Sequence, residues 1–183
     1  KMEVMLAALL HAIGHGPFSH LFEHVIVPRL DSEKTYDHEQ MSVKLSSIVC
    51  QKDLGLDEST ANNVANIILG KPTRKKRAFL AQIVHNERGV LDVDKVDYFM
   101  RDSLCCFGKH MAEVRPRRLF FGSGVVESHR TNSTDEDDDD EPLCELAFEN
   151  KLAVTIRELC MLRAKLHRAV YQHPRTIVNG NMI

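Results

Sequence analysis

Apolar residues recur along most of this chain at the three- and four-residue spacing of an amphipathic helix, and strand-like alternation is rare. The stretch from Val4 to Leu10 is almost wholly apolar and predicts a buried helix that runs into His11. After a Gly-Pro break, Pro17 stands where the first turn of a helix tolerates it, so we expect a second helix from there. The pattern predicts a mainly α-helical fold.

Capping residues and proline mark further helix boundaries. Asp37 opens a sequence typical of a capping box. Asp57 or Ser59 precedes an apolar stripe that stops at Gly70. Pro174 ends the last predicted helix. Later apolar stripes predict three more helices, over residues 79–84, 93–106 and 152–171.

The helical pattern weakens near residues 117–148, where we expect a small β hairpin or sheet. Glycines 122 and 124 interrupt the apolar residues of 117–127, which is typical of a short strand or hairpin arm. Residues 143–148 predict the second arm. The acidic stretch 128–141 between the arms cannot pack against a core, and we expect a flexible loop there.

Length, composition and charge limit the classes of protein to which this chain can belong. With 183 residues, 43% of them hydrophobic, the chain is expected to form a single domain over residues 1–183. Because it opens inside a helical pattern, we expect it to be a fragment that lacks an N-terminal part. The formal net charge of -2 does not predict nucleic-acid binding, although it is compatible with local basic patches.

The sequence also bounds the cellular location. Five cysteines without a Cys-x-x-Cys pair are typical of a reducing, intracellular compartment. No apolar stretch approaches the ~20 residues of a membrane span, and no signal-peptide pattern is present. The basic run Lys71–Arg77 favours a solvated loop and is compatible with nuclear residence without establishing it.

Three histidines fall within the segment HAIGHGPFSH, residues 11–20. Imidazole serves as a metal ligand, proton donor or proton acceptor near neutral pH. The glycines and proline bend the backbone, so several rings can face one point. The segment therefore indicates a metal or phosphate site. A helix-to-helix turn with one buried histidine is the alternative, and three histidines at this spacing make it the weaker interpretation.

A second cluster, DVDKVDYFMRD at residues 92–102, falls on a predicted helix. Asp94, Tyr98 and either Arg101 or Asp102 share one stripe of that helix. Together with Lys95 they offer carboxylates for a cation, an ammonium for phosphate and a phenol for a sugar or base. The spacing alone supports a charged surface helix with ion pairs equally well.

A third cluster lies on the last long predicted helix. Arg163, His167 and Tyr171 follow one another at i,i+4 and project from one face. A guanidinium, an imidazole and a phenol in a row suit phosphate and ribose recognition. Side chains of these types also flank a core with their polar ends in water, and the spacing alone favours neither interpretation.

These three motifs, in this order, resemble the HD-domain phosphohydrolases, and specifically the SAM- and HD-domain deoxynucleoside triphosphate triphosphohydrolases. That family reads His-Asp at the start of the histidine motif, where this chain has His11 and Ala12. The second motif matches every fixed position, and the third contains the family's LHRxxYQH pattern. The resemblance covers residues 5–175 and implies an HD-domain helical bundle.

The family holds a divalent transition metal through a His, a His-Asp pair and a distant Asp. The resemblance therefore implies metal ligands at His11 and Asp94, with the first His upstream of this chain. Ala12 offers no ligating atom, which leaves two ligands and implies weak metal binding. The expected ion is Fe, Mn or Zn, with Mg accompanying the nucleotide.

The resemblance also implies catalytic residues: His15, His20, Glu23 and His38. In the family the first two face the α-phosphate, and His20 protonates the leaving 5′-oxygen. Glu23 replaces the family's Asp, which orients that histidine. The other histidines match no family position, and we interpret them as ordinary surface or core residues: His24, His85, His110 and His129.

The substrate-binding residues that the resemblance implies are Lys95, Tyr98, Asp102, Arg163, His167, Tyr171 and Gln172. Lys95 and Arg163 contact the triphosphate. Tyr98 and Asp102 border the deoxyribose, where the tyrosine excludes a 2′-hydroxyl. A looser match places Arg117 at an allosteric contact.

The implied activity is hydrolysis of a dNTP, of the dGTPase type, to a deoxynucleoside and inorganic triphosphate. The family resemblance also implies GTP or dNTP activators, a homodimer or homotetramer, and residence in the nucleus. Because Ala12 and the missing upstream histidine remove ligands, we expect this chain to be impaired or inactive. Two alternatives stay open: a noncatalytic nucleotide-binding or regulatory module, favoured by Ala12, and an HD phosphohydrolase for another phosphoester, disfavoured by the sugar-contacting residues.

Overall fold

The computed structural model of the protein describes residues 1–71, 74–86, 91–110, 115–128 and 142–182. Within these ranges the chain is mainly helical with a two-stranded antiparallel sheet, which confirms the predicted fold class. The helices are α1 (Met2–Leu10), α2 (Val27–Leu30), α3 (His38–Ile48), α4 (Glu58–Ile68), α5 (Ala78–Val84), α6 (Val93–Phe107), α7 (Pro116–Phe121), α8 (Ala153–Leu166) and α9 (Pro174–Asn181). The strands are β1 (Ser123–Ser128) and β2 (Leu143–Phe148).

Short turns of other helical types adjoin these helices. The π-helical turns are Phe22–Ile26 before α2, Val49–Asp53 after α3 and His167–Tyr171 after α8. The 3-10 turns are Lys75–Arg77 before α5 and Asn150–Leu152 before α8. None of the helices in the described ranges combines the length and apolar character that crossing a bilayer requires.

Aspartates cap three of the helices. Asp37 accepts hydrogen bonds from two backbone N–H groups of the first turn of α3, and Asp57 accepts one at the start of α4. Asp92 does the same for α6. These bonds satisfy N–H groups that have no partner within the helix. The predicted caps at Asp37 and Asp57 are confirmed, and Gly70, at φ +66°, lies just beyond the end of α4 as predicted.

Two buried hydrophobic clusters form the interior. The first joins α1, α4 and α5 with the π turn after α3: Ala7, Leu10, Cys50, Ala61, Val64, Ile67, Ile68 and Val84. The second joins α6, α7 and α8 with the segments that lead into α6 and α8: Leu91, Val96, Phe99, Leu119, Leu152, Leu159, Leu162 and Leu166. A cleft is lined by Ile68 and Val84 of the first cluster. Tyr98 and Tyr171, which pack against the second cluster, line the same cleft. The cleft therefore lies where the two clusters meet.

The predicted burial of α1 is wrong in part. Its helix spans Met2–Leu10 as expected, but Ala7 and Leu10 are its buried residues. Met5 and Leu9 are 62% and 76% exposed. An almost wholly apolar sequence does not indicate which face meets a neighbour. In the structure α3, α4 and α5 contact one side of α1.

The segment 117–127 is not a strand from its start. Its first residues form α7, with Pro116 at the first helical position, and β1 begins only at Ser123. Gly122 ends this helix, where a Cβ would stand 2.4 Å from Leu152 Cδ1. The second arm is confirmed as β2, which pairs with β1 from Ser123↔Phe148 to Ser128↔Leu143.

The predicted acidic loop began one residue too early, because Ser128 is the last residue of β1. Residues 129–141 of that loop, with His129, lie outside the described residues. The predicted helix over 152–171 is confirmed as α8 with its π turn. Pro174 ends it and also begins α9, which the pattern did not predict.

Candidate nucleotide and metal cleft

A cleft of about 820 Å³ brings the three sequence motifs together. The histidine motif and the start of α3 contribute His11, Ala12, His15, Ser19, His20, His38 and Glu39. The second motif, on α6, contributes Asp92, Asp94, Lys95, Tyr98, Arg101 and Asp102. The third motif contributes His167 and Tyr171. Positions more than 150 residues apart in the sequence therefore share one cavity.

The histidine motif turns sharply after α1. Phe18 and Ser19 have φ values of +65° and +51°, in the left-handed region that few non-glycine residues adopt. The expectation that a helix starts at Pro17 is therefore wrong. Helical backbone resumes only at His20 and leads into the π turn Phe22–Ile26. Such strained residues persist where surrounding contacts hold them.

Gly14 anchors this loop to α3. Its N–H donates to Ser42 Oγ at 2.9 Å, and its carbonyl accepts from the Tyr36 hydroxyl at 2.6 Å. A Cβ on Gly14 would stand 2.3 Å from the His38 carbonyl oxygen. Only glycine permits this approach, which holds the loop against the helix start that carries His38.

Three imidazoles meet at this junction. The rings of His15 and His38 are stacked, with centroids 4.1 Å apart, and the His20 ring stands edge-on to both at 5.1 and 5.2 Å. Glu23 Oε2 bonds His38 Nδ1 at 2.7 Å and lies 3.9 Å from His20 Nδ1. The predicted catalytic residues are thus neighbours, and Glu23 bonds His38 more closely than His20, which it was expected to orient.

His15 is the most constrained of these rings. Its Nδ1 is buried and has no hydrogen-bond partner among the described residues. Burial, with the nearby His38 and His20 rings, lowers the pKa of the His15 imidazole below its ordinary value. The ring is therefore neutral at neutral pH.

His11 and Asp94 face each other across the cleft. His11 Nε2 lies 3.1 Å from Asp94 Oδ1, while His11 Nδ1 bonds the Ala8 carbonyl at 2.9 Å. The hydrogen bond with Asp94 raises the pKa of His11 despite partial burial. Burial opposes ionisation of Asp94, but the bond and charge of His11, with the charge of Lys95, outweigh it and lower the pKa of that carboxyl.

Asp92 holds the start of α6 and the Lys95 side chain together. Its carboxylate accepts the Lys95 backbone N–H at 2.8 Å and the Asn86 N–H at 3.0 Å. It also forms a salt bridge with the Lys95 ammonium. Asp92 is 5% exposed, so the predicted phosphate-binding ammonium is fixed by a buried carboxylate.

At the other end of the cleft, the Tyr171 hydroxyl donates a hydrogen bond to Asp102 Oδ2. Burial and this bond raise the pKa of Tyr171 well above its usual value. The His167 ring stands edge-on to Tyr171 at 5.1 Å, and both residues lie in the π turn after α8. Burial also raises the pKa of Tyr98. Neutral phenols and a carboxylate therefore line this end, as suits hydroxyl-bearing ligands.

The amino-acid sequence that forms this cleft is similar to a known family. The model of the HD domain family matches residues 1–101. The chain belongs to the HD domain family. Among curated relatives, the deoxynucleoside triphosphate triphosphohydrolase SAMHD1 homolog of Dictyostelium discoideum is 36% identical over 173 residues, which cover 93% of this chain and 30% of that protein.

Two further relatives agree with this family. The putative HD domain-containing protein L394 of Acanthamoeba polyphaga mimivirus is 30% identical over 172 residues, covering 93% of this chain and 33% of that protein. Deoxynucleoside triphosphate triphosphohydrolase SAMHD1 of Mus musculus is 35% identical over 121 residues, covering 54% of this chain and 18% of that protein. The chain spans a third or less of the length of these relatives.

Four predicted site residues of this HD domain do not line the cleft: Glu23, Arg117, Arg163 and Gln172. Glu23 bonds His38, which does line it. Arg163 and Gln172 are exposed, although the charge of Arg163 acts on Tyr98. Arg117 lies on α7, with its guanidinium 6.0 Å from the Phe121 ring centroid. Helical spacing placed Arg163 on one face with Tyr171, but α8 and its π turn do not keep one regular spacing.

Sequence reasoning missed other residues of the cleft. His85, interpreted as an ordinary histidine, lines it from the end of α5. Glu39 lines it too. Nothing in the local sequence of His85 points to the cleft. The alternative interpretation of α6 also holds in part, because exposed Arg101 pairs with exposed Asp97 at 2.7 Å.

The donor atoms of this HD domain suit a metal ion in part. At roughly 2.1 Å from nitrogen and oxygen ligands, a cation would find His11 Nε2 and Asp94 Oδ1, 3.1 Å apart, close enough to be adjacent ligands. Ala12 lines the cleft beside them and offers a methyl group. The described residues thus include histidine and carboxylate groups that can hold a metal, with two of the four ligands that the family resemblance implies.

Proposed function

We propose that this HD domain binds a deoxynucleoside triphosphate and belongs to an enzyme that hydrolyses it to a deoxynucleoside and inorganic triphosphate. The observation that carries the proposal is the single cleft shared by the three motifs. Relatives named as deoxynucleoside triphosphate triphosphohydrolases, at 35% and 36% identity, support the substrate class.

The deoxyribose binds at the tyrosine end of the cleft in this proposal. Asp102, held by the Tyr171 hydroxyl, accepts a hydrogen bond from the 3′-hydroxyl. Tyr98 packs against the sugar where a 2′-hydroxyl would sit, and so selects deoxyribonucleotides. His167 and the exposed Gln172 border the same end.

The phosphates bind toward the histidines. The Lys95 ammonium, fixed by Asp92, neutralises charge on the triphosphate, and Arg163 adds a longer-range cation. His20 donates a proton to the leaving 5′-oxygen. Neutral His15 donates a hydrogen bond to a phosphate oxygen, while His38, bonded to Glu23, completes this end of the pocket.

His11 Nε2 and Asp94 Oδ1 are the groups that would hold a divalent transition cation, Fe, Mn or Zn, with Mg accompanying the nucleotide. When bound, such an ion makes water a better nucleophile at neutral pH. Because Ala12 adds no ligand, affinity for the ion is reduced and turnover by this chain is impaired.

A noncatalytic nucleotide-binding or regulatory module is the second candidate. The observation that favours it is the Ala12 methyl group in the cleft beside an otherwise polar set of side chains. In that case nucleotide binds to the tyrosine and lysine side chains without being hydrolysed.

Further properties are proposed on the family resemblance alone. They are a preference for dGTP, activation by GTP or dNTPs with Arg117 at one contact, assembly into a homodimer or homotetramer, and nuclear residence. An HD phosphohydrolase for another phosphoester would release a product other than inorganic triphosphate, so product analysis separates it.

The test is dGTP turnover with detection of inorganic triphosphate, in the full-length protein beside its Ala12→Asp variant, both supplied with Mn²⁺ or Fe²⁺. Triphosphate release at least tenfold faster in the variant supports a triphosphohydrolase weakened at one ligand. Binding of dGTP with no release from either protein supports the noncatalytic module. Absence of dGTP binding in both proteins contradicts both functions.

A further inference from the structure

The imidazoles of His15, His20 and His38 form a ligand set of their own. Their ligating atoms all lie within 4.8 Å of one another, and neither His11 nor Asp94 belongs to this group. Three imidazoles with an open fourth position suit Zn²⁺, and imidazole also suits Cu²⁺ and Ni²⁺. We propose that these three histidines bind a borderline transition cation such as Zn²⁺, at a site separate from the His11–Asp94 pair.

The buried nitrogen of His15 supports this site. Nδ1 of His15 has no hydrogen-bond partner within the described residues, although it is shielded from water. A buried polar atom without a partner is costly, and an ion is one of the few groups that explain it. A cation among the three rings supplies the partner that the described residues do not.

Glu23 supports the site from outside the ligand set. It is largely buried, bonds His38 Nδ1 at 2.7 Å and lies 3.9 Å from His20 Nδ1. Histidines that ligate metals commonly bond a carboxylate through the second ring nitrogen, which orients the ring and increases its basicity. Glu23 therefore leaves the Nε2 atom of His38 for the cation.

The backbone brings the three rings together without a metal. The Gly14 contacts with Ser42 and Tyr36 hold the loop against α3. The left-handed residues Phe18 and Ser19 then return the chain so that His20 faces the same point. The stacked rings of His15 and His38 must rotate about Cβ–Cγ to aim at one ion, and this torsion is broad for histidine.

Occupation of this site has a consequence for turnover. A cation bound to His20 prevents that imidazole from donating a proton, so Zn²⁺ opposes nucleotide hydrolysis. This consequence rests on the proposed function, whereas cation binding itself does not. Binding is therefore measured without nucleotide, so that failure of the site and failure of the proposed function are distinguishable.

The experiment is equilibrium dialysis of Zn²⁺ against the full-length protein and four variants. The double variant His11→Gln/Asp94→Asn removes the other candidate ligands and is expected to retain one Zn²⁺. His20→Gln and His38→Gln, each made in that double variant, are expected to weaken Zn²⁺ binding at least tenfold. His110→Gln, an exposed histidine outside the cluster, serves as the matched control and is expected to change nothing.

A variant of Glu23 and the visible absorption of bound Co²⁺ test the same site independently. Glu23→Gln is expected to weaken Zn²⁺ binding by about 10- to 100-fold, as loss of a carboxylate behind a ligating histidine does. Bound Co²⁺ should show the visible absorption of a nitrogen-rich, low-coordination site, and His20→Gln should abolish it. The His20 side chain is 66% exposed, so this variant folds, as its circular dichroism spectrum will check.

Either of two results overturns the proposal. One is Zn²⁺ binding that disappears in His11→Gln/Asp94→Asn, or that persists undiminished when His20→Gln or His38→Gln is added to that double variant. The other is absence of Zn²⁺ binding by the unchanged protein at micromolar concentrations.

Discussion

Of the two walls of the cleft, the histidine wall (residues 11–20 with His38) consists of a loop held by contacts distant in sequence. The tyrosine wall (α6 with the π turn His167–Tyr171) consists of helical turns that begin at local signals. Gly14 reaches Ser42 across 28 positions to hold the first wall. Asp92 begins the second by capping α6 within three residues. The same cleft thus combines a wall that depends on tertiary contacts with one that depends largely on local ones.

This difference has a physical cause. A metal or proton-transfer site needs several rings aimed at one point, which a regular helix face does not supply. A loop supplies it at the cost of left-handed backbone at Phe18 and Ser19. The sugar pocket of the proposed function needs side chains one turn apart, and helical spacing on α6 provides that for Tyr98 and Asp102.

The largest effect is expected at Asp92, which caps α6 in the tyrosine wall and pairs with Lys95. Asp92→Ala removes the α6 cap and leaves the Lys95 ammonium beside a site that has lost its carboxylate, so we expect the free energy of unfolding to fall by about 3 kcal/mol. Urea denaturation measures it. The control is Asp97→Ala, which breaks an exposed pair with Arg101 and should cost less than about 0.5 kcal/mol. Equal costs would contradict this role of Asp92.

The second effect tests the histidine wall. Gly14→Ala places a methyl group 2.3 Å from the backbone of α3. Because neither backbone can move freely, we expect the free energy of unfolding to fall by about 2 kcal/mol. The matched control, Gly124→Ala, adds a methyl group where nothing lies within 4 Å. Thermal unfolding of both variants decides the question. A Gly14 variant as stable as its control would contradict close packing of the loop.

A smaller effect tests the bond that joins α6 to the π turn. Tyr171→Phe removes the hydroxyl that donates a hydrogen bond to Asp102, and we expect the free energy of unfolding to fall by about 1 kcal/mol. A double-mutant cycle with Asp102→Ala should show coupling of at least about 0.5 kcal/mol. Purely additive losses would mean that the two side chains act independently.

The same bond sets a dependence on alkaline pH. Because the pKa of Tyr171 is raised in the folded protein, the unfolded chain releases the proton first, above about pH 10. Stability present below that pH is lost as pH rises further. Tyr171→Phe should therefore lose less stability than the unchanged protein between pH 9 and about pH 11, as urea denaturation at each pH measures.

The smallest effect concerns a purely local signal, the cap of α4. The backbone and side-chain bonds of Thr60 lower the pKa of Asp57, so its contribution is present above about pH 4 and is lost as pH falls further. Asp57→Asn keeps the capping oxygen without the charge. The melting temperatures of the two proteins should differ slightly at pH 7 and converge near pH 2. A constant difference at both values would contradict a role for the charge.

The helical part of the fold was largely predictable, for a reason that particular residues show. Asp37 and Asp57 cap the helices that follow them, and Gly70 lies just past the end of α4. These signals act within three or four residues. The exposure of Met5 and Leu9 was not predictable, because burial depends on which face of α1 meets α3, α4 and α5.

The sequence named many of the residues that line the cleft but not their geometry. His11, Asp94 and Tyr171 line it, whereas Arg163 and Gln172 remain exposed. His85 enters the cleft with no sequence signal. Glu23 bonds His38 more closely than His20, which depends on the packing of the π turn against α3.

By itself the sequence determined where α3 and α4 begin, the three motifs, the family and the absence of a carboxylate at Ala12, because each depends on residue identity and short-range spacing. Only the tertiary structure decided that His15, His20 and His38 meet and that Phe18 and Ser19 adopt left-handed backbone. These features arise from contacts between segments far apart in the chain, such as Gly14 with Ser42 and Tyr171 with Asp102. Short-range patterns carry no information on such contacts.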